Sequence, residues 1–227
     1  MTMPFTPDQF FDLFAAYNRD LWPAILLLWL ASVSVAWTFL RGRAARSLVL
    51  WLLAAHWLWA GLVYHLSFFT RINPAAWVFG AAFVLEALLL GRLAWQDSKR
   101  GIPVLPTFAI DGRHPVRFAV SAAFVIYGLA YPAIALASGH PYPQTPTFGV
   151  PCPTTMLTAG LFVGVGAVPR YLLVVPVLWS GIGGSAAWLI GVRADLVLPV
   201  AGVAMIVSLA TPRSHATSRL RPGHATR

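Results

Sequence analysis

GHPYPQTPTFGVPCPTT, residues 139–155, separates two long hydrophobic runs of this 227-residue chain. The stretch contains five prolines and two glycines, no charged residue, and Cys152, the only cysteine of the sequence. Proline interrupts a helix because it lacks a backbone N–H and has a fixed φ. The stretch therefore predicts a non-helical loop between two membrane-spanning helices.

The composition of the whole chain indicates that its main solvent is lipid. Hydrophobic residues make up 58% and charged residues 10%, with a mean hydropathy of +0.71, whereas a soluble domain has about 25% charged residues. A single cysteine excludes an internal disulfide and a cysteine-rich zinc or iron–sulfur site. The net charge of +9 is concentrated in short segments between apolar runs. This distribution is typical of membrane insertion and argues against a nucleic-acid partner.

Seven hydrophobic runs predict seven spans, because a helix that crosses about 30 Å of hydrocarbon needs roughly 20 apolar residues. The fifth run is short and rich in glycine, and the seventh is short and contains Pro199. Six spans are therefore the alternative. The predicted spans are residues 22–40, 47–69, 74–94, 117–138, 154–169, 171–191 and 195–211.

Basic residues predict the orientation of these spans. With seven spans and an outside N-terminus, thirteen lysines and arginines lie in inner segments and three in outer segments. This asymmetry satisfies the positive-inside rule. The predicted fold class is therefore all-α, a polytopic transmembrane helix bundle with its N-terminus outside and its C-terminus cytoplasmic. The inner residues are Arg41, Arg43, Arg46, Arg92, Lys99, Arg100, Arg113, Arg117, Arg170, Arg213, Arg219, Arg221 and Arg227, and the outer ones are Arg19, Arg71 and Arg193.

The predicted transmembrane domain, residues 22–211, is flanked by two further segments. In residues 1–21, Thr6 and Gln9 form the pattern of a capping box around Pro7. An apolar stripe follows at helical spacing, and it predicts an amphipathic helix at the outer interface; an extension of the first span is the alternative. Residues 212–227 are polar and basic, which predicts a disordered cytoplasmic tail whose arginines bind anionic lipid headgroups.

Ionisable residues inside or at the ends of the predicted spans are candidates for function, because charge at membrane depth is costly. His56 and Glu86 lie in the second and third spans, roughly 12–13 Å from the inner end of each helix. These helices are consecutive and antiparallel, so a hydrogen-bonded pair that binds protons or ions is one interpretation. A structural contact, or a Glu86 that stays protonated, is the other. Arg193 and Asp195 predict an ion pair at the outer interface.

A second group of candidates lies on the outer side of the predicted bundle. His65, His140 and Cys152 have the side chains that bind a soft metal ion, so a metal ion is the one cofactor considered. Cys152 lies just before Thr154, which opens the fifth span, and a helix N-terminus at that place stabilises a thiolate. Asn73 is located at the start of the third span. Ordinary interface anchoring and helix capping are the alternative explanations for these residues.

Three motifs carry a resemblance to a known group. The motifs are FTPDQFFDLFAAYNRDLWP (containing AYNRDLWP), YHLSFFTRINPAAWVFG and GHPYPQTPTFGVPCPTT (containing PTFGVPCPTT). They resemble an uncharacterised bacterial family of small multi-pass membrane proteins, classed as a domain of unknown function. The resemblance covers the chain to about residue 190. It implies a multi-pass protein of the bacterial inner membrane and implies no activity.

The sequence leads to three hypotheses of function. The first is a transporter or channel-like protein for a small solute or ion, a metal ion included. Its outer vestibule contains His65, Asn73, His140 and Cys152, with His56 and Glu86 deeper. The second is a membrane-embedded enzyme with Cys152 as nucleophile and His140 or His65 as base, and the third is a sensor or assembly protein. A retinal protein is excluded because its Schiff base needs a lysine in the last span, whereas Lys99, the only lysine, falls in the predicted inner loop 95–116.

Overall fold

The computed structural model describes residues 4–100, 115–165 and 168–210, which form a bundle of α-helices. Seven helices lie at the positions of the seven predicted spans. They are α1 (Pro7–Leu40), α2 (Arg46–Trp59), α3 (Ala76–Arg100), α4 (Pro115–Ala137), α5 (Pro151–Val165), α6 (Val174–Ile190) and α7 (Leu198–Ala210). α2 continues as a π-helix (Ala60–Phe68) and a 3-10 turn (Phe69–Arg71), and 3-10 turns (Arg170–Leu173 and Arg193–Val197) precede α6 and α7.

Five of the described helical segments are long and apolar enough to cross a membrane: Pro7–Leu40, Arg46–Arg71, Ala76–Arg100, Pro115–Ala137 and Arg170–Ile190. α5 has 15 residues and α7 has 13, fewer than the roughly 20 of a typical span. Every residue of α5 except Cys152 is buried. α5 is therefore the central helix, and its length is not set by contact with lipid. Seven crossings with an outside N-terminus stay a prediction.

Pairs of contacts show that neighbouring helices run in opposite directions. Trp57 contacts Phe83 and Gly61 lies against Gly80, so α2 with its π-helix is antiparallel to α3. Arg117 contacts Val163 and Ser121 contacts Gly160, so α4 is antiparallel to α5. At one end of the bundle the loop 138–150 connects α4 to α5; we call this the loop end. At the opposite end the turn between α1 and α2 and the last turn of α3 carry arginines and a lysine; we call this the basic end.

Six exposed tryptophans lie in two groups near the two ends of the bundle. Along α1, Trp22 and Trp37 are about 22 Å apart at 1.5 Å per residue, and along α3, Trp77 and Trp95 are about 27 Å apart. Tryptophan is enriched where the hydrocarbon meets the headgroups, and the separations are close to the thickness of that layer. The loop-end group is Trp22, Trp77 and Trp188, and the basic-end group is Trp37, Trp51 and Trp95.

The N-terminal segment differs from the prediction of a separate interfacial helix over residues 1–21. α1 runs without a break from Pro7 through Pro23 to Leu40, and its predicted capping box is confirmed. The apolar stripe packs on protein and not on lipid headgroups, since Phe14 and Tyr17 are buried against the loop-end part of α2. The pattern of an amphipathic stripe fits a protein surface and a lipid interface equally well, so the sequence alone did not distinguish these two surfaces.

The loop after α4 ends earlier than predicted. α5 begins at Pro151 rather than near residue 154, so Cys152 and Thr154 belong to its first turn. Proline is tolerated there because the N–H groups of a first turn have no partner within the helix. Residues 138–150 form the predicted non-helical connection. The predicted tail, residues 212–227, and most of the predicted inner loop, residues 95–116, lie outside the described residues.

Candidate functional site

His56 lies in the middle of the bundle with hydrogen-bond partners on two other helices. Its Nε2 is 2.7 Å from the Ser32 hydroxyl of α1, and its Nδ1 is 3.5 Å from the Thr154 hydroxyl of α5. Phe148, from the loop, packs edge-on against the imidazole with ring centroids 5.0 Å apart. All four side chains are buried. His56 therefore connects α1, α2, α5 and the loop.

The hydrogen bonds of Ser32 indicate the tautomer of His56. The Ser32 hydroxyl is 2.7 Å from the carbonyl oxygen of Leu28, which can only accept a hydrogen bond. A hydroxyl proton donated to Leu28 fits the tautomer in which His56 Nε2 carries the N–H and donates to Ser32. An imidazole in this state does not accept the serine proton as a general base would. His56 has the contacts of a structural residue.

Glu86, the only glutamate of the chain, is fully buried on α3 and has no such partners. Neither of its carboxyl oxygens forms a hydrogen bond with any residue that the structure describes. The predicted hydrogen bond between His56 and Glu86 is therefore absent. His56 and Glu86 do lie at nearly the same depth, because Trp57, next to His56, contacts Phe83, which is one turn from Glu86. However, successive residues of a helix point about 100° apart, so His56 faces α1 while Trp57 faces α3.

Five aromatic rings cluster on the loop-end side of Glu86. Phe83 is central: its ring centroid is 4.4 Å from that of Trp57, 4.6 Å from that of His65 and 5.1 Å from that of Trp179. Phe79 contacts both His65 and Trp179. We call these rings, which come from α2 and its π-helix, α3 and α6, the ring cluster. The indole N–H of Trp57 donates to Thr158 of α5 at 3.0 Å.

His65 is fully buried within the ring cluster, and neither ring nitrogen has a hydrogen-bond partner among the described residues. It lies in the π-helix, where the wider turn changes the direction of successive side chains. Gly61, in the same segment, allows close contact with α3: a Cβ there would lie 3.1 Å from the carbonyl oxygen of Gly80. His65 and Glu86 are thus two buried ionisable side chains without hydrogen-bond partners.

At the loop end, Cys152 has a carboxyl group and not a histidine as its neighbour. Asp195 is buried and accepts a hydrogen bond from the Tyr131 hydroxyl at 2.5 Å, and the Cys152 thiol lies beside this carboxyl group. The indole of Trp179 also lies beside the sulfur. The predicted ion pair of Arg193 with Asp195 is wrong, because Arg193 is exposed and Asp195 points into the bundle.

The structure does not bring together the predicted metal ligands His65, His140 and Cys152. The His140 ring stacks on Phe11 at 4.5 Å, whereas His65 lies within the ring cluster. Among the described residues, no group of three or more His, Cys, Asp or Glu side chains is arranged to hold a metal ion. The side-chain oxygen of Asn73 accepts a hydrogen bond from the Ala75 N–H just before α3.

Two residues of the AYNRDLWP motif hold the loop 138–150 against the bundle. The Tyr17 hydroxyl donates to the carbonyl oxygen of Phe148 and accepts from the Trp59 indole N–H at 2.7 Å. The Asn18 amide donates to the carbonyl oxygens of Pro143 and Thr145, at 2.7 and 2.8 Å. Sequence reasoning did not connect these segments, although the motifs that contain them carry the family resemblance.

Sequence reasoning also missed Ser32, Tyr131 and Trp179, each a polar residue within a hydrophobic run. Serine, tyrosine and tryptophan are ordinary components of membrane helices, so their type gives no signal. For Asp195, the sequence predicted an ion pair at the outer interface and not a buried side chain. Its position directly before an apolar helix was the one available indication that a carboxyl group is buried.

Apolar helices, two groups of exposed tryptophans and a buried polar interior define a helical bundle that is compatible with a membrane environment. The chain belongs to DUF6064, described as a family of unknown function, which matches residues 7–219. The resemblance to an uncharacterised domain-of-unknown-function group is confirmed. No curated protein and no solved structure matches the chain.

Proposed function

We propose that this protein moves a small solute or ion across a membrane and that Glu86 binds protons during the cycle. The observation that carries the proposal is the burial of Glu86 in the middle of the bundle, with no hydrogen-bond partner among the residues that the structure describes. An ionisable group inside a membrane protein is costly, and such groups mark substrate, ion or proton pathways.

A purely structural role for Glu86 is the weaker explanation. A polar group that stabilises a bundle does so through its hydrogen bonds, as His56 does with Ser32 and Thr154. Glu86 makes no such contact, so its desolvation is not compensated in this conformation. A group kept at this cost is explained by a second state, in which water, a cation or a proton donor reaches the carboxyl group.

Further polar residues support a pathway towards Glu86 from the loop end. Asp195, which accepts a hydrogen bond from Tyr131 and lies beside Cys152, is nearest the loop. His65 is deeper, within the ring cluster, and Glu86 is deeper still, roughly 4.5 Å along α3 from Phe83. This order agrees with the first hypothesis from the sequence, with Asp195 in place of His140 and Asn73.

We place the loop end outside the cell and the basic end in the cytoplasm, since the sequence satisfies the positive-inside rule in that orientation. The bacterial inner membrane is the proposed location. The basic end would face anionic headgroups. There the Arg41 guanidinium lies 3.9 Å from the Trp37 ring and the Lys99 amine lies 4.3 Å from the Trp95 ring.

The enzyme hypothesis has less support. A cysteine nucleophile needs a base that accepts its proton, for which a histidine was predicted. The neighbours of the Cys152 thiol are Asp195 and Trp179, and His140 lies against Phe11. A sensor or assembly protein would need no unpartnered carboxyl group in its interior, so Glu86 favours transport over that hypothesis.

Proton uptake by reconstituted protein tests the proposal. Purified protein is incorporated into liposomes that contain the pH-sensitive dye pyranine, and a potassium gradient with valinomycin makes the interior negative. We expect wild-type protein to acidify the interior faster than protein-free liposomes, and E86Q to lose this increment. D12N is the matched control, since it removes an exposed carboxylate at the loop end, and it should behave as wild type. Equal uptake by E86Q and wild type would refute the role of Glu86.

A further inference from the structure

We infer that the substrate class is the lipophilic organic cation, a positively charged molecule with aromatic or alkyl groups, bound by Glu86 and the ring cluster. The inference rests on the proposed function and adds the chemistry of the substrate. It is based on two observations: Glu86 is fully buried and has no hydrogen-bond partner among the described residues, and it follows Phe83, the central ring of the cluster, by about one turn of α3.

The number of charged ligands argues for an organic cation rather than a metal ion. Calcium, magnesium and transition metals need several oxygen, nitrogen or sulfur ligands, and no group of three such acidic, histidine or cysteine side chains occurs among the described residues. A single carboxylate neutralises a single positive charge. A bulky organic cation needs no more than this, because its charge is spread out and weakly hydrated.

The ring cluster supplies the rest of the site. Aromatic faces attract cations, tryptophan most strongly, and the attraction grows when water is excluded. Trp57 of α2 and Trp179 of α6 both contact Phe83 of α3. The same rings provide apolar surface for the hydrocarbon part of the ligand. Among the described residues, neither the ring nitrogens of His65 nor the indole N–H of Trp179 has a hydrogen-bond partner.

In the present conformation the rings pack against one another edge to face or tilted. Trp179 is the one ring of the five that α6 supplies. A movement of α6 away from α2 and α3 therefore opens the cluster towards Glu86. The structure described here is the closed state of such a site.

Exchange of a cation for a proton follows from the burial of Glu86. Without a partner the carboxyl group is neutral, because an unpaired charge in the interior is costly. When a monovalent cation binds, the carboxyl O–H bond breaks, the proton leaves to water, and the carboxylate pairs with the cation. The net charge of the site does not change when a cation replaces the proton, so the uptake that a membrane potential drives is carried by the carboxyl group when no organic cation is present. Binding therefore releases about one proton for each cation, and the apparent affinity rises with pH.

Binding of tetraphenylphosphonium tests the inference, with tetraphenylborate as a probe of nearly the same shape and opposite charge. Titration calorimetry of the full-length protein in a non-ionic detergent, with protein-free micelles as blank, measures both. Repeating the titration in buffers of different ionisation enthalpy counts the protons. We expect the phosphonium ion to bind with the release of about one proton, and the borate ion not to bind above the blank.

Three variants locate the site. E86Q should weaken phosphonium binding at least about tenfold, the equivalent of one lost charge interaction of 1.4 kcal/mol, and abolish proton release. F83L keeps an apolar side chain but loses the ring, and should weaken binding by about 2- to 30-fold. F162L is the matched control, because Phe162 is buried on α5 and outside the ring cluster. It should bind as wild type.

The outcomes separate this inference from the proposed function. Equal binding of both ions, or equal binding by wild type and E86Q, would show adsorption to apolar surface and overturn the inference. No phosphonium binding would also overturn it. In either case, loss of proton uptake in E86Q liposomes would leave the proposed function standing, whereas unchanged uptake would remove both.

Discussion

His56 and Glu86 lie at nearly the same depth on neighbouring helices, and their surroundings differ completely. His56 has a hydroxyl group on each side, from Ser32 and Thr154, and connects three helices. Glu86 has no hydrogen-bond partner among the described residues. The comparison separates two reasons for a polar residue inside a bundle: one maintains the packing, and the other is kept despite its cost to stability.

The difference predicts opposite effects of substitution. A structural group stabilises the fold and its loss is harmful, whereas a functional group held without partners lowers stability and its loss is harmless to folding. Variants of the two residues therefore test the comparison directly when folding is measured together with proton uptake.

The largest effect on stability is expected for H56A. The substitution leaves a cavity at the junction of α1, α2 and α5 and removes the partner of Ser32, at a cost of about 2–4 kcal/mol. Unfolding by a denaturing detergent, followed by circular dichroism, measures the change. An H56A protein as stable as wild type would show that the histidine is not the structural centre described here.

E86L is expected to change stability in the other direction. Leucine has a similar size and removes an unpaired polar group, so the protein should gain about 1–3 kcal/mol. The same unfolding experiment measures the gain, and proton uptake should be lost. Destabilisation by E86L of the size expected for H56A would mean that Glu86 has a stabilising partner.

The pair S32A and S34A sharpens the assignment of His56. Both serines lie on α1 and donate to the carbonyl oxygen four residues before, Ser32 to Leu28 and Ser34 to Leu30. Only Ser32 also contacts His56. S32A should cost about 1 kcal/mol, typical of a hydrogen bond between membrane helices, and S34A close to none. Equal losses of stability in S32A and S34A would show that the loss comes from the hydrogen bond to the helix backbone and not from the contact with His56.

The most local effect on stability is expected at the loop end. Y17F removes the hydroxyl that connects Trp59 to the carbonyl oxygen of Phe148, and should cost about 1 kcal/mol. Hydrogen exchange of the loop 138–150, measured by mass spectrometry, should become faster. Y142F is the control, because Tyr142 lies in the same loop with its side chain exposed. Faster exchange in both variants would contradict the specific role of Tyr17.

Much of the fold could be predicted from the sequence, because hydropathy and capping act locally. The seven helices occur where apolar runs are located, and the capping box at Thr6 is present. The surface that an amphipathic segment contacts is a tertiary property. The stripe containing Phe14 and Tyr17 packs on α2 for this reason, although its pattern also fits a lipid interface.

The candidate site was predicted in part, and the errors have one physical origin. Position along a helix follows from counting residues, so the common depth of His56 and Glu86 could be inferred. The direction of a side chain around the helix depends on how the helices are rotated against each other, and the sequence does not give that rotation. The pairing with Ser32, and that of Asp195 with Tyr131, depend on it.

The most direct test of the central claim is the reaction of Glu86 with dicyclohexylcarbodiimide, an apolar reagent that modifies protonated carboxyl groups. Glu86 is the only glutamate of the chain, so mass spectrometry identifies its adduct without ambiguity. A neutral, unpartnered carboxyl group in apolar surroundings should be modified in the folded protein in a non-ionic detergent, while a water-soluble carbodiimide should reach exposed aspartates such as Asp12 instead. A Glu86 that stays unmodified until the protein is unfolded would contradict the claim.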